Sequence, residues 1–202
     1  MSRDEALATF EERGLVLVQG QGAVPSLADL LAGKAVTTRG YSWDYVPAWT
    51  LREELAARDD VAVVKLVGGR STVVQARHWP AVEALSRASR ATLRGNAMLA
   101  RIERAPGIVG RELKEALGLS GKDGSRKFQR WKTELEIGLA IDGREQEDPA
   151  HHTHDAAWFP WSQSKLAQGV RGPLPAIDDA IESLGVAPTF LPVLRNLTLV
   201  GR

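Results

Sequence analysis

Apolar positions spaced three and four apart open the chain: in residues 2–13, Ala6, Leu7 and Phe10 fall on one face, and Gly14 follows as a stop. The spacing predicts an amphipathic helix there. Residues 15–18 form a short, continuous apolar run, which predicts a buried strand. Residues 20–25 read as a turn, after which Ser26 caps a small helix through Leu31. A segment dense in rings (Tyr41, Trp43, Tyr45, Trp49), expected to serve packing rather than a binding box, precedes a helix over 50–58. Two β-branched runs, VAVVKLV and RSTVVQA, flank Gly68-Gly69 and predict a β-hairpin over 61–77. His78-Trp79-Pro80 ends it and opens a helical region, 81–104, broken or bent near Gly95.

The most informative stretch is 108–141, IVGRELKEALGLSGKDGSRKFQRWKTELEIGLAI. It predicts a short helix from near Val109, with Leu113, Ala116 and Leu117 inward and Arg111 and Lys114 outward. Gly118, Gly121 and Gly124 then supply a turn, and Ser125 or Asp123 caps a longer cationic helix. That second helix has two faces. Phe128, Trp131, Leu135 and Leu139 make an apolar stripe, while Arg126, Arg130 and Thr133 make a polar and mostly cationic one. Two helices joined by a short turn form the usual unit for reading a DNA major groove. The plainer alternative is a helical hairpin whose charges are only solvated. Residues 139–142 and 157–161 are expected to pair as a wing around a long tip, acidic at its start and His-rich at its centre, to which no base contacts are assigned.

A short helix over 162–168, the Gly/Pro-rich linker GVRGPLP and an element from Ala176 complete the chain. The closing FLPVLRNLTLV is apolar enough to dock on the body or to form a homodimer through the C-terminal tail. The expected fold class is therefore α+β, a winged helix-turn-helix with an N-terminal helix and β-hairpin region. Residues 1–80 form the N-terminal α+β region, 81–168 the winged-helix region, and 169–202 the linker and tail.

With 202 residues and 44% apolar content, the chain can bury one or two cores. No apolar run approaches the roughly 18 residues needed to span a bilayer. Zero cysteines exclude disulfides and thiolate chemistry, which suits a reducing compartment. The expectation is a soluble cytoplasmic protein with no membrane association. Overall charge is uninformative, with 26 basic against 25 acidic residues, but its distribution is not. Residues 76–132 hold 13 Lys or Arg against five acids, a net +8, while the rest is −7. A basic middle between acidic flanks points to a polyanionic partner, here duplex DNA.

Taken in order, an N-terminal helix, Asp44 and Trp49 ahead of a hairpin carrying Lys65, Trp79-Pro80, GRELKEALGL, SRKFQRWKTEL and a closing wing resemble the bacterial winged-helix proteins related to the AlkZ (YcaQ-type) DNA glycosylases. The resemblance spans most of 1–168 and is strongest over 108–141. It implies a winged-helix fold and, for the glycosylases proper, excision of alkylated or crosslinked bases. Their water-positioning Gln-x-Gln or Gln-x-Asp element has one counterpart here, Gln19-Gly20-Gln21, which makes Gln19 and Gln21 weak catalytic candidates. His151, His152, His154 and Asp155 have imidazole and carboxylate groups suited to zinc or nickel, yet a His cluster in a loop is more often solvated, and neither metal nor cofactor is expected. The favoured function is duplex-DNA binding without catalysis, linked to DNA repair. Arg126, Arg130 and Thr133 would face the groove and Ser125 a phosphate. Lys114, Lys122, Lys127 and Lys132 would contact phosphate, with Arg111 beside them. A base-excising glycosylase and a module for protein contacts are the alternatives.

Overall fold

The computed structural model describes residues 2–20, 24–36, 45–93, 95–148 and 153–197; the side chains of 146–148 and 153–155 lie outside that description. Helix α1, Arg3–Arg13, starts at a capping box in which the Ser2 hydroxyl accepts from Glu5 N–H and the Glu5 carboxylate accepts from Ser2 N–H. Gly14, in the left-handed conformation, ends it. Its last carbonyls are covered from outside: Arg77 donates to the Glu11 and Glu12 oxygens, at 2.9 and 2.5 Å, and the His78 ring lies 2.9 Å from the Arg13 oxygen.

Strands β1 (Leu15–Leu17), β2 (Val61–Lys65) and β3 (Ser71–Gln75) form an antiparallel sheet in the order β1-β3-β2. Successive side chains of a strand point to opposite faces, so a sheet covered on both sides must be apolar at nearly every position. That is the origin of the unbroken runs in the sequence. Val16, Val18, Val61 and Val73 enter one core, with Ala6 and Phe10 of α1, Leu27 of α2 (Leu27–Ala32), and Leu51 and Leu55 of α3 (Val46–Ala56). Leu15, Leu17, Ala62, Val64 and Val74 enter another, covered by α4 (Trp79–Thr92), α8 (Lys165–Gly169) and α9 (Ile177–Leu184). The hairpin corner is a 3-10 turn, Val67–Gly69, closed by Thr72, whose hydroxyl accepts from Val67 N–H and donates to the Arg70 carbonyl. Helix α3 begins four residues earlier than expected, because Pro47 sits in its first turn, where the missing N–H costs nothing.

Arg58 ties three elements together. It forms ion pairs with Glu11 and Asp60, and Gln75 donates to Glu11 at 2.9 Å. Hydrogen bonds from Arg58 are the main cause holding both the Glu11 and the Asp60 carboxyls below their ordinary range. Because folding lowers these pKa values, the stability they add is full above the ordinary carboxylate range and is lost as pH falls through the lowered folded values. The groups are well solvated, so the contribution is about 0.5–1 kcal/mol. Arg58→Met should therefore melt a few degrees lower than the parent chain at neutral pH, with the gap closing on acidification. A gap independent of pH would show that the arginine acts through packing alone.

The second sheet belongs to the other half of the chain. Helix α5 (Ala97–Arg104), capped by Asn96, leads to the two-residue strand β4 (Ile108–Val109), then α6 (Gly110–Ala116), α7 (Gly121–Ile137), β5 (Ile141–Asp148) and β6 (Thr153–Pro160). Strand β6 lies between β4 and β5, antiparallel to both. A third core fills the space between these helices and the sheet, centred on Met98, Ile102, Leu113, Phe128, Leu135 and Trp158. This order and pairing are those of an α+β fold compatible with a winged helix-turn-helix.

Of the two forms expected for 81–104, the broken one holds: the helix at Trp79–Thr92 and the helix at Ala97–Arg104 are separate, with Gly95 between them. Several expectations change. Ala116 is exposed, and Leu119 takes the buried place beside Leu113. Leu139 is not on the α7 stripe: the helix ends at Gly138, and Leu139 turns the chain with φ of 51°, its side chain entering the core around α4. Ser86 donates to its carbonyl at 2.8 Å and holds the turn. The wing strands are eight residues each, paired from Ile141–Pro160 out to Asp148–Thr153, so the tip is far shorter than the charged sequence suggests. The C-terminal segment packs on its own chain: Ala180, Leu184, Val186, Leu191 and Val193 are buried in the α4 core.

Candidate nucleic-acid interface

The α6–α7 pair is built by a close approach of backbone to backbone. Gly124 was expected in the turn, but it lies in the first turn of α7, and a Cβ there would stand 2.6 Å from the carbonyl carbon of Leu119. Only glycine lets the helix begin this near the turn. Ser125 is likewise inside the helix and does not cap it. Its hydroxyl donates back to Gly121 O at 2.8 Å and accepts from Lys114 Nζ at 2.7 Å. The lysine thus pins α6 to α7.

The two faces of α7 separate as their spacing requires. Phe128 and Leu135 are buried in the third core, with Trp131 packed against it. Lys122, Arg126, Arg130 and Thr133 are exposed along the opposite side. Lys122, Arg126 and Arg130 recur every four residues and so span about 12 Å of helix. Arg126 makes one solvent-exposed contact, 3.5 Å to Asp123, too weak to hold it from another partner. Lys127 lies 4.5 Å from the Trp131 ring centre, and Arg111 and Lys114 line a shallow depression of about 290 Å³ at the turn.

Other basic residues are engaged elsewhere. Lys132, expected at a phosphate, lies 5.6 Å from the Trp158 ring centre, on the β5–β6 side of α7 and away from its outer face. Arg77 covers the end of α1. Arg90 and Arg87 lie 3.0 and 3.5 Å from the Glu83 carboxylate, which is 5% exposed and also accepts from Trp161 Nε1 at 2.7 Å. The +8 segment is therefore not one cationic surface. Its α4 arginines neutralise a buried acid, whose i+4 and i+7 spacing to them was the signal in the sequence. Arg94 lies outside the described residues.

A cleft of about 360 Å³ runs between α3, the first sheet, α7 and the wing base, lined by Trp49, Arg52, Lys65, Lys132, Glu136 and Trp158 among others. Sequence reasoning missed it, since its walls come from segments up to a hundred residues apart. Lys65 Nζ and Glu136 Oε2 are 3.2 Å apart across it. A second cleft, also about 360 Å³, shares Trp49, Lys65 and Ser71 with the first and includes Gln19 and Tyr45. Gln19 thus sits beside the first cleft and not on the exposed face of α7. Gln21, Tyr41, Trp43, Asp44, His151 and His152 lie outside the described residues, as do the side chains of His154 and Asp155. Among the described residues no helix is long and apolar enough to cross a membrane.

No curated protein and no solved structure matches the chain. The model of the family described as AlkZ related matches residues 1–162, from the first helix through strand β6. The chain belongs to the AlkZ-related family.

Proposed function

We propose that this chain is a winged-helix protein of DNA repair that binds duplex DNA without catalysing a reaction on it. The observation that carries this reading is the outer face of α7, where Lys122, Arg126, Arg130 and Thr133 stand exposed behind a buried apolar stripe. Arg126 and Arg130 would enter the major groove, their planar guanidinium groups suited to bidentate contact with guanine or phosphate, and Thr133 would meet a base edge or methyl group. Lys122 and Lys127 would meet the backbone, with Arg111, Lys114 and Ser125 near the α6–α7 turn contributing position rather than sequence. The family supplies the link to repair. Titration of a labelled, fully paired oligonucleotide at low salt tests it by fluorescence anisotropy: saturable binding is expected, and none at micromolar protein would favour a role in protein contacts.

A catalytic reading has one observation in its favour, the position of Gln19 in a cleft with Tyr45 and Lys65. A glycosylase would release a modified base from alkylated duplex, and Gln19→Ala would abolish that release. Unchanged alkylated DNA after prolonged incubation with the parent chain is the outcome expected here.

A further inference from the structure

We propose that the cleft between α3, the first sheet, α7 and β5–β6 is a nucleotide subsite that takes one unpaired base together with its phosphate. A cleft of about 360 Å³ falls in the size range of small-ligand sites. Its lining combines what such a guest requires. Trp49 is 37% exposed, one of the few large apolar side chains at the surface, and Arg52 lies 5.7 Å from its ring centre. The Arg52 Nε is buried without a hydrogen-bond partner. The Trp158 indole, 4% exposed and packed in the third core, adds to the lining of the same cleft and carries the Lys132 ammonium 5.6 Å from its ring centre. The exposed Trp49 indole can stack on any base, and the cations nearby neutralise the attached phosphate. Glu136, already taking the Lys65 ammonium on one oxygen, has further lone pairs for the exocyclic amine of a base. A purely apolar guest would strand these charges, and a fully anionic one would meet the carboxylate. A heteroaromatic ring with donors, acceptors and a phosphate matches all of them.

The position of the cleft gives the guest a source. Lys132 and Glu136 stand on α7, the helix whose outer face is assigned to duplex DNA. In this respect the inference rests on the duplex-binding reading, because an unpaired nucleotide of a strand held on that helix is the nearest supply. A free mononucleotide has the same chemistry and is the other source. The Trp158 wall also depends on its strand partner: Gly143 lies opposite Trp158, and a Cβ on it would stand 2.5 Å from the indole. Any side chain at 143 must push that ring aside.

Three ligands distinguish the outcomes: a paired duplex, the same duplex carrying one unpaired adenosine, and adenosine monophosphate. The parent chain should bind the bulged duplex about tenfold more tightly than the paired one. Trp49→Ala should erase that preference while leaving paired-duplex affinity unchanged, and Gly143→Val should weaken it by a route that leaves Trp49 in place. Saturable binding of the monophosphate that is lost in Trp49→Ala supports the subsite with a free nucleotide as guest, even if no duplex binds and the duplex reading fails. A bulge preference without monophosphate binding supports it with a strand as the source. Equal affinity for the two duplexes together with no monophosphate binding, or a preference that persists in Trp49→Ala, overturns it.

Discussion

Replacing Arg126 and Arg130 together by alanine should lower the affinity for paired duplex DNA by about 2–3 kcal/mol, roughly 30- to 150-fold, with no change in melting temperature. Both residues are exposed on the outer face of α7, and the contact of Arg126 with Asp123 is solvated, so the fold loses nothing measurable. The apolar side of the helix is untouched. Binding and stability should therefore separate cleanly in this variant, which is the signature of a face that exists for a partner. Lysine at both positions should restore only part of the affinity, because an ammonium keeps the charge but cannot match two acceptors in one plane. Equal affinity in the alanine and parent chains would move the interface to another surface.

Glu83→Ala should act in the opposite way, on stability first. The carboxylate is buried at the junction of α4 and the end of the wing sheet, accepting from Trp161 Nε1 and pairing with Arg90. Its removal leaves an indole N–H without an acceptor and a partly buried guanidinium without its counter-charge. The exposed Arg87 contributes little. Breaking a buried pair by deleting one partner costs about 3–5 kcal/mol, and the partial exposure of Arg90 brings the expected loss to about 3 kcal/mol. For a chain of this size that is a fall of roughly 6–12 °C in Tm. Glu83→Gln keeps the acceptor for Trp161 and should recover part of the loss, with thermal unfolding followed by circular dichroism as the measurement. A melting temperature unchanged in the alanine variant would mean that water replaces the carboxylate at this site.

How far the sequence reveals all this depends on the range of the interaction concerned. The first sheet and α1 are legible because burial on two faces, a capping Ser and a stop glycine leave marks within a few residues. The two faces of α7 are legible for the same reason. Gly124 and Ser125 are misleading: the missing Cβ of Gly124 lets the helix start close against the Leu119 backbone, and the Ser125 hydroxyl bonds Gly121 and Lys114 instead of capping. The outer wing strands, rich in Asp, Glu and Arg, carry no apolar alternation and so hide their length. The strand at Ile108–Val109 is too short for any period. Least legible is the cleft between α3 and α7, because Trp49, Lys65, Lys132 and Trp158 come from segments far apart in the chain. Charge counting also overreaches: it treats Arg77 and Arg90 as available cations, when helix-end carbonyls and a buried glutamate already engage them.

Affinity for one paired oligonucleotide, followed over a series of salt concentrations, puts the outer face of α7 to the test. With Lys122, Arg126, Lys127 and Arg130 displacing counterions, log K should fall against log salt with a slope of about −3 to −4, and the Arg126→Ala, Arg130→Ala double variant should flatten it by nearly two. A slope near zero, or one identical in the two proteins, would contradict that assignment.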